Sequence, residues 1–201
     1  KQMWNLAEKL EISIFGTSAK YIDACRENKI FPSTFSNLSK LRMILSTGSP
    51  LIEESFEYIY EHVKKDIHLA SISGGTDIIS CFALGSPTLE VKSGELQCRG
   101  LGMDVHAFDE KGLPLIGKKG ELICSSAFPS MPIYFWNDSD GSKYKEAYFS
   151  NYPDVWYHGD FIRISEIGSV KIYGRSDSTL NPGGVRIGTS EIYRVVNSIN
   201  T

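Results

Sequence analysis

The sequence predicts an α/β protein: a mostly parallel sheet with helices, followed by a small antiparallel β-barrel, with a further element opening past residue 174. Three patterns predict it. Between Lys40 and Ala70 a strand, a Gly turn, a helix and a second strand follow one another, which is the rhythm of a βαβ unit. After Gly85 the pattern changes to short strands separated by Gly or charged turns, as in barrels and curled sheets. Past Gly174-Arg175-Ser176-Asp177 a helix-like pattern begins. The sheet subdomain is expected over 1–90 and the barrel over 91–173.

Taken in order, Lys1 to Asn28 carries helical periodicity broken by a strand-like patch, Ile12-Ser13-Ile14-Phe15, and ends in a loop at Phe31-Pro32-Ser33. Lys40 to Ser46 reads as a short buried strand entering Thr47-Gly48-Ser49-Pro50. From Leu51 to Lys65 the apolar residues Leu51, Ile52, Phe56, Ile59, Tyr60 and Val63 recur at helical spacing, and Asp66 to Ala70 restores a strand. The barrel strands are expected at Leu96 to Cys98, Met103 to Phe108, Glu121 to Cys124, Phe161 to Ile164 and Val170 to Tyr173, with a turn at Asp109-Glu110-Lys111-Gly112. Ser190 is placed as an N-cap for a helix whose Ile192, Val195, Val196 and Ile199 share one face.

Composition narrows the function. The chain has 201 residues, 41% hydrophobic and 22% charged, ordinary for a folded globular protein. A net charge of −3 without a basic run offers no electrostatic footprint for nucleic acid or anionic lipid. Cys25, Cys81, Cys98 and Cys124 form no CxxC pair and no zinc spacing, so they read as reduced intracellular thiols. No apolar run reaches the roughly 18 residues of a membrane span. A cytoplasmic location is expected. Lys1 replaces an initiator Met, and Asn200-Thr201 follows closely on the start of a helix pattern, as in a piece excised from a longer protein.

Five short motifs carry chemistry. Gly48-Ser49-Pro50 closes a strand, where Gly lets backbone approach a planar ligand and Pro stiffens the exit, although most such tripeptides are simple turns. Ser73-Gly74-Gly75-Thr76-Asp77 sets a hydroxyl beside a carboxylate after two Gly, which suits a phosphate and its Mg²⁺; a Gly-rich turn with Asp77 as a cap is the competing reading. In His158-Gly159-Asp160 a carboxylate at the head of a strand can accept from two ribose hydroxyls, while His158, lacking an identifiable partner, reads as a structural hydrogen-bonder. Gly174-Arg175-Ser176-Asp177 and Gly183-Gly184-Val185-Arg186-Ile187-Gly188 bring two planar guanidinium forks, eleven residues apart, into a Gly-rich stretch.

Read together and in this order, these motifs resemble those of adenylate-forming enzymes: acyl-CoA synthetases, luciferases and peptide-synthetase adenylation domains. The resemblance covers essentially the whole chain, and the block from Gly174 to Ile192 is its most specific part. It implies ATP, Mg²⁺, CoA and a small carboxylic acid as reactants, with no nucleic acid or membrane as partner. Gly48, Ser49 and Pro50 would line the adenine pocket, and Ser73, Gly74, Gly75 and Thr76 would border the nucleotide, Thr76 at the α-phosphate beside Asp77, which stands where the family usually has a Mg²⁺-associated Glu and would take that metal role. Asp160 and Arg175 would hold the ribose, Arg186 would approach the phosphate as a catalytic group with Thr76, and Gly184 would lie against CoA. Residues 174–178 would be a hinge turning at Asp177, and 179–201 the start of a truncated C-terminal α+β domain.

The departures from the family pattern are informative. His158 stands where Thr is common, and Asn181 where many members have Lys and the acetyl-CoA synthetase branch has Asn. Gly74-Gly75 occupies the place of a bulky Trp that closes the acyl pocket of acetyl-CoA synthetases, so an open pocket for a four-carbon acid is expected there. The phosphate loop ending in Gly-Lys-Pro-Lys and the C-terminal catalytic Lys are not in this sequence, and the chain alone is expected to be inactive. Two other functions compete: a ligase for another short or medium-chain acid, and a non-catalytic nucleotide-binding or interaction module of the same fold.

Overall fold

A computed structural model describes residues 1–176 together with Ile192, Val195 and Val196, the last three in helical conformation. The rest of the expected helix from Ser190 lies outside the described residues. The chain divides into two compact units, Lys1–Ser73 with Leu84–Gln97, and Gly74–Ala83 with Cys98–Thr201.

In the first unit, α1 (Gln2–Lys9) buries Trp4 and Ala7 and leads to β1 (Ile14–Ser18). Ser18 ends that strand and caps the next helix, its Oγ accepting from the Tyr21 amide at 3.2 Å. That helix, α2 (Ala19–Glu27), buries Ala19, Ile22 and Cys25 at helical spacing. Next come β2 (Met43–Thr47), α3 (Glu53–Tyr58) with Glu53 and Glu54 in its first turn, and β3 (His68–Ser71). Acidic side chains there oppose the positive end of the helix dipole. The strands are parallel in the order β1-β2-β3, as the βαβ rhythm predicts. Ile44 lies opposite both Phe15 and Leu69, three buried side chains in a row across the sheet.

The continuous helix expected from Leu51 to Lys65 is α3 followed by a π-helical turn, Ile59–Val63. Phe56, Ile59 and Val63 stay buried across the junction, so packing outweighs regular hydrogen bonding there. Leu96-Gln97 is not a strand. Gln97 instead clamps its own loop, donating to the Ser86 carbonyl at 2.8 Å while its Oε1 meets His68 Nε2 at 2.6 Å.

The second unit holds all of one sheet but its end residues Ser73 and Leu84, and the whole of another. β4 (Ser73–Gly75), β5 (Ser80–Leu84) and β6 (Cys98–Arg99) form one, in that order. The other is built from β7 (Val105–Phe108), β8 (Pro114–Leu115), β9 (Lys119–Cys124), β10 (Trp156–Ile164) and β11 (Val170–Arg175), in the order β11-β10-β9-β7-β8 with antiparallel pairing. Val105 and Ala107 are buried while His106 and Phe108 are half-buried, the alternation of a one-faced strand. Helix α4 (Ser142–Phe149) precedes β10. The antiparallel sheet is as expected, but among the described residues it is open. Its edge strand β8 is two residues long and begins with Pro114, which offers no amide donor for onward pairing.

Candidate active site

Strand β10 begins at Trp156, five residues before the expected Phe161, so His158-Gly159-Asp160 lies inside a strand. It does so as a bulge. Tyr157 pairs with Ile123 and Phe161 with Glu121, so four steps along β10 oppose two along β9. Gly159, at φ +78°, supplies the left-handed residue that such a distortion needs. The bulge turns the Asp160 carboxylate toward Arg175, its register partner on β11, with Oδ1 to Nη1 at 3.6 Å. The same Nη1 donates to the His158 carbonyl at 3.0 Å. Ser176 is tied in as well: its amide donates to the Gly159 carbonyl at 2.8 Å, and its hydroxyl meets that of Tyr157 at 2.9 Å.

His158 is a buried, neutral hydrogen-bonder. Trp156 Nε1–H donates to its Nδ1 at 3.4 Å, which leaves the proton on Nε2, directed at the Gly74 carbonyl 3.3 Å away. Burial first, and the Arg175 charge second, push its pKa from the ordinary 6.5 down to about 4, against opposing effects of the Gly74 carbonyl and Asp77. Its 3.8 Å approach to Asp160 Oδ2 is therefore no ion pair at neutral pH.

Gly74 and Gly75 are strand residues, and the space beside them is filled. A Cβ on Gly74 would lie 1.9 Å from the Ser80 carbonyl oxygen, and one on Gly75 would lie 2.9 Å from His158 Cε1. The two glycines thus answer close approach, by the neighbouring strand and by an imidazole ring respectively. The turn that follows leaves Thr76 and Asp77 exposed and buries Ile78. Ile79 closes it at φ +47°, a costly conformation for a β-branched residue, with its amide donating to the Gly75 carbonyl at 3.2 Å.

Sequence reasoning missed Tyr148. Its hydroxyl donates to Asp77 Oδ2 across 71 residues of chain, and its ring stacks on Trp156 with centroids 3.7 Å apart and 15° between planes. Burial and the Asp77 carboxylate both push its pKa up. Helix α4, which carries it, starts where Asp138 accepts from the amides of Lys143 at 3.1 Å and Tyr144 at 2.9 Å. Asp138, Asp140 and Gly141 ahead of aromatic residues four apart, Tyr144 and Tyr148, were the available start signal.

Asp160, Arg175, Gly74, Gly75, Thr76 and Asp77 all fall in the second unit. Gly48, Ser49 and Pro50 follow β2 in the first, where Gly48 takes φ +84°, and Ser73 is the last residue of that unit's first stretch. Asp177, Asn181, Gly184 and Arg186 lie outside the described residues. Among the described residues no helix is long and apolar enough to cross a membrane.

No family model matches the chain. It is 53% identical over 198 residues to the acetoacetyl-coenzyme A synthetase of Rhizobium meliloti, covering 98% of this chain and 30% of that protein. It is 50% identical over 195 residues to the acetoacetyl-CoA synthetase of Gallus gallus, covering 96% of this chain and 29% of that protein. The chain belongs to the adenylate-forming family. It spans about 30% of the length of the curated relatives it matches. Acetoacetyl-CoA synthetase from Streptomyces lividans superposes with a TM-score of 0.89 at 46% identity, covering 98% of this chain and 31% of that one. A second structure, the anthranilate CoA ligase AuaEII in complex with anthranoyl-AMP, gives a TM-score of 0.79 over 95% of this chain and 35% of that one. At 19% identity this is a likeness of fold.

Proposed function

We propose that this chain is a segment of an AMP-forming acid–CoA ligase that activates acetoacetate as its acyl-adenylate and transfers it to CoA. The 53% identity to an acetoacetyl-coenzyme A synthetase across 98% of the chain carries this reading. In the first half-reaction an acid oxygen attacks the α-phosphorus of ATP and pyrophosphate leaves. In the second the CoA thiol attacks the acyl carbonyl, loses its proton, and AMP leaves.

The roles assigned to the chain are binding and orientation. Asp160 accepts from the ribose hydroxyls with Arg175 beside it, a role supported by their approach at the β10 bulge. Thr76 meets the α-phosphate. Gly74 and Gly75 border the acyl group through bare backbone, and Gly48, Ser49 and Pro50 border the adenine. Arg186 is assigned to the phosphate, Asp177 to the hinge and Gly184 to CoA. The antiparallel sheet is assigned to the barrel-like subdomain over 91–173, and the free thiols of Cys25, Cys81, Cys98 and Cys124 support a cytoplasmic setting.

Mg²⁺ enters as part of the substrate MgATP, where it neutralises phosphate charge. The donors suit it: the Thr76 hydroxyl and the Asp77 carboxylate are hard oxygens, adjacent and exposed. Among the described residues no cluster of three or more His, Cys, Asp or Glu forms a metal cage. A single carboxylate is what a Mg²⁺ that retains waters and phosphate ligands needs.

The test is acid-dependent exchange of labelled pyrophosphate into ATP by the full-length protein containing this chain, with acetoacetate, acetate, butyrate and octanoate in parallel. Fastest exchange with acetoacetate is expected. A preference for another acid overturns the substrate, and exchange with none overturns the ligase.

A further inference from the structure

We propose that Tyr148 is a positioning residue for Asp77, holding its carboxylate in the orientation that meets the Mg²⁺ of MgATP. The proposal rests on the reading of Asp77 as the carboxylate at that Mg²⁺. It begins from a contrast. Asp77 lies on an exposed hairpin turn, where a carboxylate has several open rotamers, yet its Oδ2 accepts from a hydroxyl whose own position is over-determined.

The Tyr148 ring is stacked on Trp156 at 3.7 Å, and Phe135 meets it edge-on at 6.0 Å. Trp156 is 1% exposed and lies opposite Cys124 in the β9–β10 ladder, so the platform under Tyr148 is part of the sheet core. Helix α4 holds the other end, its start pinned by Asp138. A phenol fixed in this way restricts the carboxylate it binds. One Asp77 oxygen is occupied, and the restriction is made before any ligand arrives, which lowers the ordering cost of binding.

The same platform serves the ribose side. Trp156 donates through Nε1 to His158, and His158 Nε2 lies 3.8 Å from Asp160. One buried indole thus lies behind both carboxylates, under the Tyr148 ring that binds Asp77 and against the imidazole that packs beside Asp160. A Tyr148 that served packing alone would have no use for its hydroxyl, and the neighbouring Tyr144 supplies that comparison. Tyr144 belongs to the same aromatic cluster, 6.2 Å from Trp156, and its hydroxyl is buried without a hydrogen-bond partner among the described residues.

The experiment is calorimetric binding of ATP to the full-length protein, with Mg²⁺ and with the metal chelated, for wild type, Tyr148→Phe, Tyr144→Phe, Asp77→Asn and the Tyr148→Phe/Asp77→Asn double variant. Phenylalanine keeps the stack on Trp156 and removes only the hydroxyl. The expected result is that Tyr148→Phe weakens MgATP binding about tenfold, the scale of one charge-assisted hydrogen bond, while metal-free ATP binds as in wild type. Tyr144→Phe matches wild type in both conditions, and the double variant is no weaker than Asp77→Asn. Wild type that binds ATP equally with and without Mg²⁺ overturns the reading of Asp77, and this proposal with it. Wild type that prefers MgATP, with Tyr148→Phe indistinguishable from it or with additive losses in the double variant, overturns the role of Tyr148 alone.

Discussion

Asp160 and Arg175 face one another across the β10–β11 ladder, carboxylate and guanidinium 3.6 Å apart, with the arginine also held by the His158 carbonyl at 3.0 Å. Their surroundings differ: the carboxylate side chain is 11% exposed and the guanidinium 49%. At 3.6 Å the contact is longer than the bidentate fork that Arg and carboxylate make when nothing else competes. A carboxylate oriented by a cation, but not closed onto it, is suited to accept from a diol.

Asp160→Asn keeps the shape and removes the charge. AMP binding to the full-length protein is expected to weaken 10- to 100-fold, on the order of 1.5–3 kcal/mol for hydrogen bonds to a charged acceptor. Arg175→Lys retains the charge but not the planar fork, and a smaller loss is expected. Calorimetry with AMP decides, and an Asp160→Asn protein that binds AMP as wild type does would remove the ribose role.

His158 links the site to pH. Its folded-state pKa of about 4 lies below the ordinary 6.5, so above pH 6.5 both states are neutral and the imidazole contributes no pH dependence. As pH falls through that window the unfolded chain takes up a proton that the folded chain refuses, and stability is lost. By pH 5 the loss is about 2 kcal/mol, from roughly 1.4 kcal/mol per pH step. NMR titration of the His158 ring and urea midpoints between pH 7.5 and 4.5 check this together. A ring that titrates near 6.5, or a His158→Asn variant with the wild-type slope, contradicts it.

The sheet of the first unit was legible because buried residues such as Ile44 and Leu69 sit in short strands bounded by turns. The second unit hid three features. β10 was read five residues short because His158-Gly159-Asp160 interrupts the apolar run, and only pairing with β9 shows that a bulge absorbs them. Gly74-Gly75 reads as a loop in any local window; the Ser80 backbone that makes Gly74 a strand residue is set by the hairpin partner. Helix α4 buries no residue, so the amphipathic stripe that reveals most helices is missing. Motif residues could therefore be named from spacing, while Tyr148, which touches Asp77 from 71 residues away, could not.

The contact between Gly75 and His158 predicts a coupled pair. A methyl at 75 meets a ring carbon at 2.9 Å, and the ring is held by Trp156 and the Gly74 carbonyl, so it has little freedom to yield. Gly75→Ala is expected to destabilise the chain by about 1–3 kcal/mol, the usual range for overpacking. In a His158→Ser background, where the ring is gone, the same change is expected to cost under about 0.5 kcal/mol. Urea unfolding of the four proteins forms the cycle, and additive costs would show that the two residues do not share this space.

Asp138 sets the position of α4, and with it the stack of Tyr148 on Trp156. The residue is 7% exposed and its carboxylate satisfies two amides of the first turn, which makes it a buried helix cap despite lying four residues ahead of the helix. Asp138→Ala removes both hydrogen bonds and is expected to cost about 1–2 kcal/mol, with a weaker near-ultraviolet circular dichroism signal as the aromatic stack loosens. Asp138→Asn keeps one acceptor oxygen and should recover most of that signal. Asp140 also binds the helix start, through the Ser142 amide and hydroxyl, but from the solvent side, and Asp140→Ala is expected to leave the aromatic signal unchanged. Equal effects of the two alanine variants would mean that general helix-end charge, rather than the buried Asp138 cap, sets where Tyr148 stands.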